Sequence, residues 1–220
     1  MEKSEISTLN KVVRGAKRAL YEREIAYDII DSHMICHVAY VYEGYAISIP
    51  TGYGRSGDML YLHGSLKNRM LLGILEADKV SVTITHLDGL VLARSVFHHS
   101  VNYRSAMVFG KPRVVEDPDE KMKALEVITE NFIQGRWQEA RTPNDKEFRS
   151  TLVIGVSIDQ FSAKVRAEGV NDELSDMELD IWAGVVPIHG MYGQPIPEKD
   201  LNSAIEAPDS VRNLRKQAPL

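Results

Sequence analysis

The sequence holds one cysteine, two tryptophans and no long apolar run. The single thiol, Cys36, excludes an intrachain disulfide and any cysteine cluster for zinc. Lying in the apolar run Met34-Ile35-Cys36, it reads as a buried inert thiol rather than a nucleophile. No window approaches the roughly 18 apolar residues of a membrane span. The opening Met1-Glu2-Lys3-Ser4-Glu5 is charged, without the apolar core of a signal peptide. These absences set the expectation of a soluble, cytoplasmic protein with no membrane partner. Positive charge is scarce too: 26 Lys and Arg against 31 Asp and Glu leave a net charge of −5. A general nucleic-acid binder needs a basic field, so none is expected, although a local basic pocket for one small anion is compatible.

Several motifs are also missing. There is no His-x-x-x-His with a flanking glutamate and no Gly-x-Ser-x-Gly elbow, which argues against a zinc site or a serine hydrolase. His33 and His37 are four apart, but a helix gives way to a strand between them, so no metal site is expected. A Gly-x-Gly-x-x-Gly pattern occurs literally at Gly52-Tyr53-Gly54-Arg55-Ser56-Gly57. A strand follows it where a dinucleotide fold needs a helix.

What remains is 220 residues of ordinary globular composition, 44% hydrophobic and 26% charged. That suits one large domain, or one with an extension. Tyr21 to Asp31 reads as a helix with Ile25, Ala26, Ile29 and Ile30 on one face, after a basic lead-in of Lys11, Arg14, Lys17 and Arg18. Strands follow at 37–42 and 45–50 around the turn Glu43-Gly44. Residues 51–57 read as a glycine-rich loop before a short strand at 59–63. Ser65 reads as the cap of a helix that buries Leu66, Met70, Leu71, Ile74 and Leu75. The alternation of Val80, Val82 and Ile84 against Ser81, Thr83 and Thr85 predicts a strand, with Asp88-Gly89 as the next hairpin turn. Asp117-Pro118-Asp119-Glu120 predicts a helix with a capping box. Residues 135–144 look irregular, and 151–158 reads as the last long strand. The acidic and proline-bearing remainder reads as an extension, which divides the chain into 1–167 and 168–220. Antiparallel strands with a few outer helices predict an α+β protein built on a small β-barrel.

Two stretches carry candidate chemistry. His98-His99-Ser100-Val101-Asn102-Tyr103-Arg104-Ser105 gathers imidazoles, an amide, a phenol, a guanidinium and hydroxyls at the mouth of a strand over 106–109. Such a mixture needs partners if it is buried. Ser65-Leu66-Lys67-Asn68-Arg69 sets cations at a helix start, where they oppose the dipole unless an anion sits there.

These stretches, with Tyr61-Leu62-His63-Gly64-Ser65, residues 88–95, Val108-Phe109-Gly110, Gly135-Arg136-Trp137, residues 162–166 and Trp182-Ala183-Gly184-Val185, resemble the flavin-nucleotide-binding branch of the pyridoxamine 5′-phosphate oxidase-like superfamily. That branch is related to the nitroimidazole-resistance proteins, and the likeness runs from about Arg14 to Val186. The resemblance implies a Greek-key split β-barrel that holds FMN at a homodimer interface. The phosphate motif of the oxidases falls on Asn68-Arg69-Met70: the arginine is kept, an amide replaces serine, the lysine is lost, and Lys67 is the candidate substitute. The Arg-Gln pair of the oxidases falls on Arg104-Ser105, six residues before Gly110. The resemblance thus implies Ser65, Lys67, Asn68 and Arg69 on the phosphate, and Pro50, Thr51, Gly52 and Tyr53 along the ring. Thr83, Thr85 and Ser105 would line the ribityl chain and ring. His99 and Arg104 are the candidates to face flavin or substrate, His99 as a proton donor. Substrate-phosphate residues of the oxidases do not carry over, so pyridoxamine phosphate oxidation is not expected. The expected function is an FMN-dependent oxidoreductase acting on a small molecule. FAD is the alternative flavin, and a non-catalytic flavin carrier the alternative role. A haem protein with His98 or His99 as axial ligand is the less expected reading.

Overall fold

The computed structural model describes residues 2–214. In chain order they form β1 (Ala19–Leu20), α1 (Arg23–Asp31), β2 (Ile35–Tyr42), β3 (Tyr45–Gly52), β4 (Gly54–Ser56), β5 (Met59–Ser65), α2 (Arg69–Leu75), β6 (Val80–Leu92), β7 (Ser100–Gly110), β8 (Pro112–Val114), α3 (Pro118–Phe132), α4 (Arg136–Glu139), α5 (Asp145–Ser150), β9 (Thr151–Ser157), β10 (Gln160–Arg166), β11 (Gly184–Pro187) and α6 (Asp209–Leu214). The α+β organisation with antiparallel pairing is as the sequence predicts. Neither strand path among the described residues closes on itself. None of the described helices is long and apolar enough to cross a membrane.

The chain divides into two compact units. One comprises Met34–Val82, Phe109–Asp159 and Gly190–Leu220. Its β2–β3 hairpin turns at Glu43 (φ 49°) and Gly44 (φ 81°), the two positive φ values that a type I′ turn requires. Along β2, Cys36, Val38 and Tyr40 point into the core while His37, Ala39 and Val41 point outward. Most of the expected loop at 51–57 is instead strand: β3 runs to Gly52, and β4 (Gly54–Ser56) turns at Gly57 (φ 55°) to pair with β5. The four-stranded order here is β4-β5-β9-β8. Helix α3 lies so close over β4 that a Cβ on Gly54 would come within 2.7 Å of the Ile128 nitrogen. Tyr61, Val115, Ala124, Leu125, Ile128 and Val153 are buried together there.

Caps decide the helix starts. Asp117 accepts from the Glu120 amide at 2.7 Å, as expected of an N-cap. Glu120 does not complete a capping box, since its carboxylate takes Tyr61 Oη (2.9 Å) and Arg113 instead. A complete box sits at Asn144 and Glu147, opening α5 just after the segment read as irregular.

The other unit comprises Met1–His33, Thr83–Val108 and Gln160–His189. Its strand order is β1-β10-β7-β6, with β11 also paired to β6. Strand β10 corrects the reading of β9 as the last strand. Its consecutive buried residues Phe161, Ser162 and Ala163 lack the alternation by which a half-buried strand is recognised. The predicted turn at Asp88-Gly89 is also corrected, because β6 continues through it. Gly89 is needed for close approach: a Cβ there would lie 3.1 Å from the Val186 oxygen of β11.

Candidate functional site

The cations near α2 are arranged differently from the sequence expectation. Ser65 ends β5, and its Oγ accepts from the Lys67 amide at 3.1 Å, so it closes a turn rather than capping the helix. The cap is Asn68, whose Oδ1 accepts from the Leu71 amide at 3.1 Å. Gly64 makes room for it, since a Cβ there would meet Asn68 Nδ2 at 2.9 Å. Lys67 and Arg69 are exposed, and the Arg69 guanidinium lies 5.2 Å from the Tyr42 ring centroid, held by a cation–π contact. Leu66, expected in the core, is 52% exposed.

In the same unit Pro50, Thr51 and Gly52 lie on β3 opposite His37, Cys36 and Ile35. A Cβ on Gly52 would strike the Phe132 ring at 2.2 Å. Tyr53 differs from expectation in that its side chain is fully buried and its carbonyl accepts from Asn131 Nδ2 at 2.9 Å. Cys36 is buried, and desolvation pushes its thiol from an ordinary value of 9.0 up to about 12. The stability this gives is whole below about pH 9 and is lost as pH rises through about 12. Native protein at pH 8 is expected to resist a disulfide-exchange thiol reagent, and unfolded protein to titrate one thiol per chain.

In the other unit, Thr83 and Thr85 share the outward face of β6, opposite buried Ile84 and His86. Arg104 makes a bidentate pair with Asp88, Nε at 3.0 Å and Nη2 at 2.8 Å. Its charge is therefore offset by a neighbouring strand. Ser105 is half-buried beside it on β7. His99 is exposed, and its Nδ1 accepts from the Ala93 amide at 3.0 Å, which assigns the ring proton to Nε2. His98 Nε2 lies 3.6 Å from Glu173. Residues 100–105, read as the mouth of a strand, are part of β7 itself.

Sequence reasoning missed His86. Its Nε2 lies 3.1 Å from the Ile29 carbonyl and 3.3 Å from Ser32 Oγ, and a carbonyl can only accept, so Nε2 carries the proton. Burial, and next the Arg104 charge, hold its pKa below the ordinary histidine value, against the opposing Ile29 hydrogen bond and Asp88. Extending the Val80-Val82-Ile84 alternation by one step would have placed it inside. His37 and His63 have no hydrogen bond or ion pair among the described residues, and both are exposed. Partial desolvation on β5 still lowers the His63 pKa, which favours the neutral ring. No group of three or more His, Cys, Asp or Glu side chains among the described residues is placed to hold a metal ion.

A family profile described as pyridoxamine 5′-phosphate oxidase matches residues 22–165, more than half of the chain. The chain belongs to the pyridoxamine 5′-phosphate oxidase family. No curated protein matches it. Among solved structures, this family member is 31% identical to the flavocytochrome Anf3 from Azotobacter vinelandii, over 94% of this chain and 96% of that one, with a TM-score of 0.88. It is 35% identical to an FAD and haem binding protein from Mycobacterium smegmatis, over 92% and 98%, with a TM-score of 0.86. A putative 5-nitroimidazole antibiotic resistance protein from Bacteroides thetaiotaomicron is 26% identical over 67% and 86%, with a TM-score of 0.58.

Proposed function

We propose that this chain is a redox protein that binds both a flavin and a haem, with FAD rather than FMN as the flavin. The reading rests on the near-full-length likeness to a flavocytochrome and to an FAD and haem binding protein. A bound flavin supplies hydride or single-electron exchange and a bound haem single-electron exchange. The donor set fits both groups. Arg69, fixed against Tyr42, and exposed Lys67 offer cations to a phosphate, while Asn68 keeps only its amide donors free because its oxygen caps α2. Thr51 and Gly52, in the same unit as Arg69, remain proposed lining for the flavin.

The histidines divide by their hydrogen bonds. An axial ligand needs an imidazole nitrogen with a free lone pair. His99 spends its Nδ1 lone pair on the Ala93 amide, which leaves Nε2–H as a hydrogen-bond donor. His63 is neutral-leaning, outward and fixed on a strand, and is the proposed haem ligand. Arg104, neutralised by Asp88, holds position rather than presenting an uncompensated charge. The same reading includes a homodimer, supported by apolar side chains left in water, such as Phe97 at 85% and Trp182 at 66% exposure.

Purified protein tests this in one experiment. A Soret band together with flavin absorbance, and FAD released on denaturation, is the expected result. A colourless protein with no bound flavin or haem, which also fails to take up either when they are added, overturns the reading.

A further inference from the structure

We propose that Arg18 and Arg166 form a binding site for a phosphoryl group, and that the Glu168 carboxylate occupies it until that ligand displaces it. The basic lead-in is fixed in place by β1 and β10: Ala19 pairs with Lys164, and Lys164 Nζ donates to the Arg14 carbonyl at 3.0 Å. Arg18 Nη2 reaches Glu168 Oε2 at 2.8 Å, and Arg166 Nε approaches the same oxygen at 3.5 Å. The Arg18 hydrogen bond, with the charges of Arg18, Lys17 and Arg166, holds Glu168 below the ordinary carboxylate range.

One carboxylate is too little for this cluster. The Arg166 side chain is only 4% exposed, whereas Glu168 is 45% exposed and shared with Arg18. The Nε atoms of Arg18 and Arg166 are both buried and have no hydrogen-bond partner among the described residues. A buried guanidinium with an unsatisfied N–H is costly, and a phosphoryl group brings more acceptor oxygens and more charge than a carboxylate does.

The scaffold around the cluster is built. Asn102, from the polar stretch on β7, accepts from Arg166 Nη1 and from the Glu168 amide, and donates to the Glu168 carbonyl at 3.0 Å. Arg166 also donates to the Glu168 and Gly169 carbonyls, both at 3.2 Å. The backbone is thus pinned by bonds that do not involve the Glu168 carboxylate. Arg18, Arg166 and Glu168 lie just outside residues 22–165, the span that the family profile matches.

Calorimetric titration of the full chain with inorganic phosphate and with ADP tests the site, and the readout needs neither flavin nor haem. Glu168→Gln, which keeps the shape and removes the competing charge, is expected to bind phosphate about fivefold more tightly than the parent. Arg18→Ala is expected to lose at least tenfold, roughly, and Arg18→Lys to recover part of it. Tighter binding of ADP than of phosphate identifies a nucleotide as the source; equal binding identifies the phosphoryl group alone. Equal phosphate affinity in the parent and Glu168→Gln, unchanged binding by Arg18→Ala, or no heat from Glu168→Gln at millimolar probe overturns the proposal.

Discussion

His63→Ala is expected to abolish the Soret band of the purified protein while leaving its flavin absorbance and its unfolding midpoint in place. The side chain is exposed near the end of β5 and makes no hydrogen bond or ion pair among the described residues, so its removal takes little from the fold. Its lowered pKa favours the neutral imidazole, the form that can donate a lone pair to iron. His99→Ala is the comparison: its ring only accepts from the Ala93 amide, so that variant is expected to keep the Soret band. Retention of the full Soret intensity by His63→Ala, with loss in His37→Ala, would move the ligand to β2. Retention by both would remove the strand-borne histidines from the haem site.

The sequence was legible where a short-range rule has one dominant physical cause. Glu43-Gly44 turns because both residues take positive φ, and Asp117-Pro118 starts a helix because one carboxylate and one ring satisfy its first turn. It was ambiguous where the same letters serve two causes. Asp88-Gly89 has the composition of a hairpin turn, yet Asp88 is there to receive Arg104 and Gly89 to admit β11. Ser65 and Asn68 are both good caps, and only the geometry of Leu71 chooses between them. The candidate site follows the same division. The cations at 67–69 and the histidines at 98–99 were visible as residue types. Their partners were not, because Tyr42, Asp88, Ala93 and Glu173 are brought to them by strand pairing or by distant segments. His86 was hidden for a related reason: a polar residue was not expected to continue an apolar face, and its acceptors come from α1 and the residue just after it.

Gly110→Ala is expected to destabilise the protein by about 3 kcal/mol or more, read as a lower urea midpoint at unchanged slope. The glycine here is not serving a turn, since its φ lies outside the positive range. It ends β7 against the last residue of β9, and a Cβ would sit 1.6 Å from the Ser157 carbonyl oxygen and 2.8 Å from its carbon. Both obstacles are backbone, so no rotamer change relieves the overlap, and the main chain itself must shift. That main chain is occupied. Ser157 donates its amide to the Lys111 carbonyl at 3.2 Å, and its Oγ accepts from the Lys111 amide at 3.1 Å. Moving it breaks bonds on both sides of the contact. Gly44→Ala serves as the control, because open space surrounds that glycine and only its φ of 81° opposes a side chain. The expected cost there is about 1 kcal/mol. A loss at Gly110 no larger than at Gly44 would show that the ends of β7 and β9 can separate freely. Arg104 and Ser105 lie on the same strand as Gly110, so the glycine that sets this close approach also fixes the end of the strand that carries them.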